Sequence, residues 1–435
     1  MQATAPLKAD LRSTDYYRLP WTINDNILGW LEPTKRCNLY CEGCYSRNDK
    51  KSDKSLEQVR SDLQVFTRLR NMDGISIAGG DPLVHPQIVD IVRMVTGEFG
   101  MKCILNTNGL ALTEALARDL AAAGLHGFTF HIDSSQGRPG WKDKNELELC
   151  ELRLHYAKLC QKLGLSAAFN STVFPHTVQH VPALMDWARD HIDVVHGMVF
   201  ILFRTMRTDQ YDYFANGARI NADELVYYDQ DKNPRELEAR EIVARIRQSE
   251  PCYDPCAYLG GTKDPNTFKW LLAGRLGRPG KTYGYVGRRY MEIVQTASHL
   301  LTGKYLAYSS PKLLSLGQLT SLPFLPFDEG TRRAMKEFAR DVVRAPWKAR
   351  RMYFQSVVII QPIDVMADGE ANMCDGCPDM TVHNGELHWS CRLDERLRWG
   401  CNIHAVPKCQ AAEALVAAPT RRRAKAPHLK PVTEP

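Results

Sequence analysis

The stretch that decides the fold reads Pro33-Thr-Lys-Arg-Cys37-Asn-Leu-Tyr-Cys41-Glu-Gly-Cys44-Tyr45 and follows a short apolar run, Ile27–Leu31. Three cysteines in the spacing C-x3-C-x2-C can hold one corner of an iron–sulfur cluster. Three thiolates leave one iron of a [4Fe–4S] cube without a protein ligand, and an open coordination position usually marks a catalytic metal. A structural zinc knuckle is the alternative, but it needs a fourth ligand close by, and the next histidine is His85.

Strand-like and helix-like segments alternate around this stretch, from Asn26 to about Arg204. Short apolar runs predict six β-strands, at Ile27–Leu31, Gly74–Ala78, Lys102–Asn106, Gly127–Ile132, Ala167–Val173 and Val194–Phe203. Apolar residues at helical spacing predict helices between them, at Leu56–Leu69, Pro86–Glu98, Thr113–Ala123, Glu146–Lys162 and Thr177–His191. Strands that alternate with helices form a parallel sheet, whose chemistry lies at the carboxyl ends of the strands.

Glycine and polar residues stand at these carboxyl ends. The motifs are Gly79-Gly80-Asp81-Pro82 after the second strand, Asn106-Thr-Asn108-Gly109 after the third and His131-Ile-Asp133-Ser134 after the fourth, with Asn170 in the fifth strand. Paired glycines let the backbone approach a ligand closely, and polar side chains here border the mouth of a barrel. Each motif taken alone is also consistent with a plain turn.

With these motifs, the sequence resembles the radical S-adenosylmethionine (SAM) enzymes, whose C-x3-C-x2-C motif has an aromatic neighbour, here Tyr45. The resemblance implies an α/β fold, a (β/α)6 partial TIM barrel. It implies a catalytic [4Fe–4S] cluster on Cys37, Cys41 and Cys44, with SAM at the open iron. The family's usual Gly-Gly-Glu-Pro motif has Asp81 in place of the glutamate. The implied cofactor contacts are Tyr45, Gly79, Gly80, Asp81, Asn106, Asn108, Asp133, Ser134 and Asn170.

The resemblance also implies a reaction. One electron from the reduced cluster cleaves a carbon–sulfur bond of SAM and yields methionine and a 5′-deoxyadenosyl radical, which removes hydrogen from an unactivated C–H bond of the substrate. A flavodoxin or ferredoxin would donate the electron. Because the cofactor carries the radical chemistry and the protein orients it, no catalytic side chain is assigned.

A second group of cysteines lies outside this region. Cys374 and Cys377 form a C-x2-C pair, and Cys391 follows. The arrangement resembles the SPASM and twitch extensions of radical SAM enzymes, which hold auxiliary clusters, although its spacing differs from theirs. We expect one auxiliary [4Fe–4S] cluster on these three cysteines; a zinc site and free thiols stay open as alternatives. The candidates for the fourth ligand are Cys252, Cys256 and Cys401.

Composition sets wider limits on the class of protein. The chain has 435 residues, 44% of them hydrophobic and 24% charged, which excludes wholesale disorder and a coiled coil. Its 13 cysteines are an odd number, so complete disulfide pairing is excluded. No secretory signal or membrane helix is predicted, so we expect a cytoplasmic protein, in which clustered cysteines indicate metal or redox chemistry. The net charge of +6 is small, and we expect no stable nucleic-acid partner.

We divide the chain into an N-terminal extension (1–25), the partial barrel (26–204), a mostly helical insertion forming a substrate cap (205–355), a small cysteine-rich extension (356–415) and a basic disordered tail (416–435). The apolar stretch from Ile293 to Phe327 and the basic tail favour a hydrophobic or lipid-like substrate, with peripheral membrane contact through the tail. A ribosomally made peptide and another small molecule stay open as substrates. A non-catalytic iron–sulfur or zinc-binding protein is the most distant alternative.

Overall fold

The computed structural model describes residues 8–221, 235–347 and 351–408, so Cys409 and the predicted tail lie outside it. Its strands are β1 (Tyr17–Arg18), β2 (Leu28–Thr34), β3 (Gly74–Gly79), β4 (Lys102–Thr107), β5 (Gly127–His131), β6 (Ser166–Val173), β7 (Gly197–Leu202), β8 (Tyr211–Ala215), β9 (Ala218–Arg219), β10 (Ala257–Leu259), β11 (Trp270–Arg278), β12 (Lys281–Tyr285), β13 (Tyr353–Ile360), β14 (Asp364–Val365), β15 (Ala371–Asn372), β16 (Met380–His383), β17 (Glu386–Trp389) and β18 (His404–Pro407). Its helices are α1 (Leu56–Leu69), α2 (Ile88–Arg93), α3 (Glu114–Ala122), α4 (Cys150–Lys162), α5 (Val181–Asp190), α6 (Ala239–Ser249), α7 (Arg288–Thr302), α8 (Pro311–Leu314), α9 (Gly317–Thr320), α10 (Glu329–Arg344) and α11 (Leu393–Trp399). None of the helices in these ranges is long and apolar enough to cross a membrane.

The core of the fold is a parallel sheet. Strands β2 to β7 lie side by side in chain order, and β13 pairs in parallel with β7 as a seventh strand. Helices α1 to α5 connect the successive strands from β2 to β7. These elements match the six strands and five helices predicted from the sequence, and the α/β partial TIM barrel is confirmed.

Helix α1 shows why the predicted helices form. Ser55 caps its first turn by accepting a hydrogen bond from Gln58 N, and the Gln58 side chain accepts one from Ser55 N in return. Val59, Leu63 and Phe66 are buried along one face, at the spacing of an amphipathic helix. The chain between β2 and α1, which carries the first three cysteines, is therefore fixed at both ends.

In the strands β6, β7 and β13, side chains alternate between a packed outer face and a partly exposed inner face. In β6, Phe169 and Val173 are buried in the core beneath the helices, whereas Ala168, Asn170 and Thr172 on the other face are partly exposed. Strands β7 and β13 show the same alternation. The inner faces therefore border an open space, which we call the lumen.

Residues 205–355 contribute strands to the same sheet. Strand β11 pairs antiparallel with β13 on one side and with β10 on the other, and β12 folds back on β11. Helices still make up more of this region than strands do, but the glycine-rich stretch from Gly274 to Gly287, for which we predicted no strand, lies in the β11–β12 hairpin. Because β11 is buried along most of its length, its sequence lacks the alternation that identifies a half-exposed strand.

The segment after α7 covers the amino ends of the barrel strands. Ala307 N donates to Asp73 Oδ2 at 2.9 Å, and Lys102 Nζ donates to Tyr308 O at 3.0 Å. Asp73 immediately precedes β3, and Lys102 begins β4. This part of the apolar stretch from Ile293 to Phe327 therefore lies opposite to the carboxyl ends of the strands. This part of the insertion therefore does not contribute to the substrate cap that we expected residues 205–355 to form.

The cysteine-rich region joins the two edges of the sheet, which are β1 and β2. Cys374 forms a β-bridge with Gly261, just beyond β10, and β10 pairs with β1. On the other side, Asn26 Nδ2 donates to Gly376 O at 3.1 Å immediately before β2. The hairpin of β16 and β17 packs along β2 and α1. The region thus covers a strand edge that would otherwise be open to pairing with other chains.

Candidate active site

The loop that carries the first three cysteines, between β2 and α1, lies across the carboxyl ends of the strands; we call it the cysteine loop. Asn48 fixes Cys37 at one side, because its side chain accepts from Cys37 N at 3.1 Å and donates to Cys37 O at 2.9 Å. Gly43 has a positive φ of 69° and lies against the ring of Phe203, just after β7, where a Cβ would overlap the ring. The loop therefore spans the mouth of the barrel from β2 to β7.

The three thiols of this loop are partly buried and lie close enough together for the charge of one to affect the pKa of another. Burial raises the pKa of all three, and the neighbouring thiols raise the pKa of Cys37 and Cys41 further. Three adjacent thiolates therefore need a cationic group between them, which the irons of a cluster provide. Within the described ranges, no three Cys, His, Asp or Glu side chains converge tightly enough for a single metal ion.

Gly79 and Gly80 bring the end of β3 against the cysteine loop. Gly80 N donates to Thr34 O at 2.9 Å, and the following amide donates to Arg36 O at 2.8 Å. Gly79 has a φ of 111°, and a Cβ on either glycine would overlap these carbonyl oxygens. The glycine pair predicted to contact the cofactor is thus also required for the loop to lie where it does.

Asp81 links the end of β3 to the end of β4. Its buried carboxylate accepts hydrogen bonds from Thr107 Oγ1, from Asn108 N at 2.8 Å and from Leu83 N at 2.9 Å. Asn108 in turn directs its Nδ2 to Cys37 Sγ at 3.7 Å. Asp81 therefore positions Asn108 beside the cysteine loop. A direct contact of Asp81 with the cofactor remains a prediction, and both of its oxygens are already engaged.

Tyr45 and Asn106 each join two neighbouring parts of the barrel by side-chain hydrogen bonds. Tyr45 donates its hydroxyl hydrogen to Glu32 Oε1 at 3.1 Å and accepts one from Trp30 Nε1 at 3.2 Å, so it ties the cysteine loop to β2. Asn106 Nδ2 donates to Ser76 Oγ, which joins β4 to β3 on their inner faces. Neither the buried Glu32 nor the Trp30 indole was identified from the sequence.

Asp133 lies at the centre of a polar group at the ends of β5 and β6. Its carboxylate bonds to His131 Nε2 at 2.9 Å and accepts from Thr172 N at 3.3 Å. Burial alone would raise the pKa of Asp133, but the hydrogen bond and charge of His131 hold it well below its usual range. Ser134 follows directly, and Asn170 lies on the inner face of β6. The structure thus brings these three predicted residues to one side of the mouth.

Arg138 is a buried residue of the site that the sequence analysis missed. One of its guanidinium nitrogens donates to Asn108 O at 2.8 Å, while Nε and Nη1 have no hydrogen-bond partner among the described residues. Its charge acts on Cys41 and Asp133. One feature of the sequence could have indicated its role, because Arg138 follows the end of the fourth predicted strand, now β5, by a few residues. The surrounding glycine and proline residues, however, are typical of a surface turn.

Cys374, Cys377 and Cys391 form a second thiol site. The hairpin of β16 and β17 has one more backbone hydrogen bond beyond its outermost residue pair, Met380 and Trp389. In this step, Ser390 N donates to Asp379 O at 3.1 Å. This step places Cys391 beside Cys377, although 13 residues separate them in the sequence. Cys374 and Cys377 share a hydrogen bond. Burial, assisted by the neighbouring Cys374, raises the pKa of Cys391 to about 12.

The cysteines predicted to supply a fourth ligand lie elsewhere, which corrects that prediction. Cys256 precedes β10, where its Sγ donates to Leu272 O at 3.4 Å, whereas Cys374 lies beyond the other end of the same strand. Cys252 is exposed in the turn before it. Cys401 packs in a separate apolar cluster beside β8. The spacing of these cysteines in the sequence does not show which end of a strand each of them lies beside.

A cavity of about 350 Å³ opens at the carboxyl ends of β7, β10 and β13. Much of its wall is apolar and includes Met206, Met373 and Trp389, and the last two of these flank the second thiol site. Arg204 in the wall is paired with Asp364 at 2.9 Å, so the cavity presents little free charge there. Its size and lining are those of a site for a small molecule.

Comparison with known proteins identifies the barrel. A family model described as the Radical SAM superfamily matches residues 31–208. The AdoMet-dependent heme synthase of Oleidesulfovibrio alaskensis is 23% identical over 202 residues, 44% of this chain and 50% of that protein. The tungsten-containing aldehyde ferredoxin oxidoreductase cofactor-modifying protein of Pyrococcus furiosus is 33% identical over 109 residues, 24% of this chain and 30% of that protein. Streptococcus suis SuiB bound to S-adenosylmethionine is 14% identical, with a TM-score of 0.34 over 42% of each chain.

A partial barrel with a three-cysteine loop across its mouth, together with the family match, defines residues 31–208 as a radical SAM domain. Within this chain, residues 31–208 match the radical SAM superfamily, and domains of that family bind a [4Fe–4S] cluster and SAM. Cys37, Cys41 and Cys44 are the residues that would hold this cluster. The chain spans half the length of the heme synthase that it matches, so its substrate does not follow from the likeness.

Proposed function

We propose that this protein is an enzyme that removes a hydrogen atom from a C–H bond of a substrate with an apolar part. The proposal rests on the position of the cysteine loop across the carboxyl ends of the strands, next to the partly exposed inner faces that border the lumen. A cluster on this loop, with SAM bound, supplies a 5′-deoxyadenosyl radical when one electron cleaves a carbon–sulfur bond and releases methionine. The protein supplies binding, orientation and exclusion of side reactions.

One side of the lumen is polar and suits the cofactor. The hydrogen-bonded group of His131, Asp133 and Thr172 offers donors and acceptors to ribose hydroxyls or to a carboxylate. Asn170 lies beside it on the inner face of β6, partly exposed and without a side-chain hydrogen bond to any described residue. We assign this side to SAM, in agreement with the contacts that the family resemblance implies.

The opposite side of the lumen is apolar and suits the substrate. Val199 and Ile201 of β7, Val358 and Ile360 of β13 and Leu272 of β11 are partly exposed on the inner faces of their strands. Covering this wall with a ligand would contribute about 0.8 kcal/mol for each buried CH₂ group. An apolar part of the substrate held there would lie across the lumen from the cofactor, as hydrogen transfer requires.

The substrate class follows from this wall and from the neighbouring cavity. A volume of about 350 Å³ accommodates a small molecule, or one end of a longer one such as the side chain of a peptide. The middle of the stretch from Ile293 to Phe327, which favoured a lipid, contacts the amino ends of the strands through Ala307 and Tyr308. We therefore favour a small molecule with an apolar segment over a membrane lipid. A flavodoxin or ferredoxin as electron donor remains a prediction.

We further propose that Cys374, Cys377 and Cys391 hold a second [4Fe–4S] cluster. The three thiols are mutually close, and burial holds the pKa of Cys391 far above neutrality, so the site favours thiolates only when a cationic group binds there. Met373 and Trp389 separate this site from the cavity. A cluster here lies where it can exchange electrons with a bound substrate.

Reductive cleavage of SAM tests the proposed activity. After anaerobic reconstitution and reduction with dithionite, the wild-type protein should convert SAM to 5′-deoxyadenosine and methionine. Cys41→Ala should abolish the product and lower the iron content by that of one cluster, because two thiolates do not retain the cube. Cys252→Ser, at an exposed thiol outside both sites, is the matched control and should behave as wild type. No 5′-deoxyadenosine from wild-type protein with its full iron content would refute the proposal.

A further inference from the structure

Arg70 is a buried cation without a complete set of partners. It ends α1 and is only 2% exposed, and its Nη2 donates to Cys377 O at 2.6 Å. Its Nε and Nη1 have no hydrogen-bond partner in the part of the chain that the structure describes. A buried guanidinium with unpaired N–H groups is costly, so an anionic partner is needed at this position.

Asp379 is a second charged group at the same place. Its carbonyl oxygen accepts from Ser390 N at 3.1 Å, but its carboxylate accepts no hydrogen bond from any described residue. Asp379 and Arg70 act on each other electrostatically, yet they form no ion pair within 4.0 Å across residues 8–221, 235–347 and 351–408. The carboxylate also lies close enough to Cys377 and Cys391 for its charge to act on both thiols. Both unpaired charges therefore border the second thiol site.

The second thiol site has three cysteines where a fully ligated cube needs four ligands. Cys252, Cys256 and Cys401 lie elsewhere in the fold. A carboxylate can serve as a metal ligand in place of a thiolate. Asp379 lies two residues after Cys377. Its backbone carbonyl accepts the hydrogen bond from Ser390 N, and Ser390 immediately precedes Cys391.

We propose that Asp379 is the fourth ligand of the second cluster and that the free N–H groups of Arg70 donate to this cluster and balance its negative charge. The proposal rests on the second cluster proposed above. It assigns a Cys₃Asp ligand set to the site and gives Arg70 a role in setting the reduction potential, which hydrogen bonds and net charge around a cluster control.

Iron analysis in a single-site background tests the ligand assignment. Replacing Cys37, Cys41 and Cys44 together by alanine removes the first site, so all remaining iron belongs to the second. This protein should bind about four irons per chain as a [4Fe–4S] cluster. If it binds none, the proposed second cluster is wrong, whatever the outcome at the first site; if it binds four, the ligand assignment can be judged separately.

In that background, Asp379→Asn should make one iron labile, so that mild oxidation yields a [3Fe–4S] electron paramagnetic resonance signal and about three irons per chain. Asp379→Cys should retain all four irons, because it restores a thiolate. Asp375→Asn changes a carboxylate of the same loop that is ion-paired with Arg18 and is the matched control, which should retain four. Cys409→Ser should also retain four. Full iron retention in Asp379→Asn, or iron loss in Cys409→Ser, overturns the assignment.

Arg70 is tested by potentiometry in the same background. Removing its charge with Arg70→Met should lower the midpoint potential of the cluster, because reduction adds negative charge that Arg70 no longer balances. Arg70→Lys keeps the charge and should remain closer to the wild-type value. Arg68→Met, on the exposed face of the same helix, should change nothing. An unchanged potential in Arg70→Met with four irons bound excludes the role proposed for Arg70.

Discussion

At the scale of single residues, the site depends on side chains that hold other side chains in place. Asp81 has its carboxylate fully engaged between β3 and β4 and orients Asn108 toward the cysteine loop. Asp133 gathers His131 and Thr172 at the ends of β5 and β6. Such buried, fully hydrogen-bonded carboxylates contribute to the stability of the fold as well as to the shape of the site.

The low pKa of Asp133 predicts a specific pH dependence of stability. The pKa of Asp133 in the folded protein lies below the ordinary value of about 3.9. Its contribution to the free energy of unfolding is therefore fully present above about pH 3.9 and is lost as the pH falls toward the folded pKa. Urea unfolding of wild type and Asp133→Asn should therefore differ most near neutral pH and converge as the solution is acidified below about pH 4. A difference that stays constant between pH 6 and pH 3 would contradict this account.

At the scale of elements, the cysteine loop is positioned by close backbone contacts that only glycine permits. Gly79 and Gly80 let β3 approach the loop, and Gly43 lets the loop cross Phe203. The strands, helices and cysteine ligands of this domain were predictable, because they follow from local periodicity and from short-range spacing. The route of the loop across the mouth was not, since Asn48, Asn108 and Phe203 meet it only after the chain has folded.

Gly79→Ala tests the contact between β3 and the loop. A Cβ would overlap Thr34 O and would require a φ of 111°, so we expect a loss of at least about 2 kcal/mol of stability and less iron at the first site. Gly97→Ala is the matched control, because a Cβ there meets nothing within 4 Å. Chemical denaturation and iron analysis measure both effects. Equal stability and equal iron in the two variants would show that the glycine is not needed for the contact.

At the scale of the whole molecule, the barrel and the cysteine-rich region are one folded unit. Strand β13 lies between β7 and β11 in the centre of the sheet, although it follows them by many residues in sequence. The region after it connects the β1 and β2 edges. The division at residue 356 was a reasonable inference from composition, but composition cannot show that a late segment inserts between earlier strands, because that pairing is non-local.

Truncation tests this unity. A chain that ends at residue 355 lacks five of the eight residues of β13 and the closing hairpin, and it should fail to give a cooperative unfolding transition. A chain that ends at residue 415, which removes only the predicted tail, should keep the transition of the full-length protein. Circular dichroism and limited proteolysis distinguish these outcomes. A stable fragment 1–355 would show that the barrel is an independent domain.

The central claim is that Cys37, Cys41 and Cys44 hold a cluster whose open iron binds SAM. It is tested most directly by electron paramagnetic resonance of the reduced protein in which Cys374, Cys377 and Cys391 are replaced by alanine, so that only the first cluster contributes. We expect that adding SAM changes the spectrum, because a ligand joins the open iron. A spectrum that is identical with and without SAM, in protein that carries four irons per chain, would contradict it.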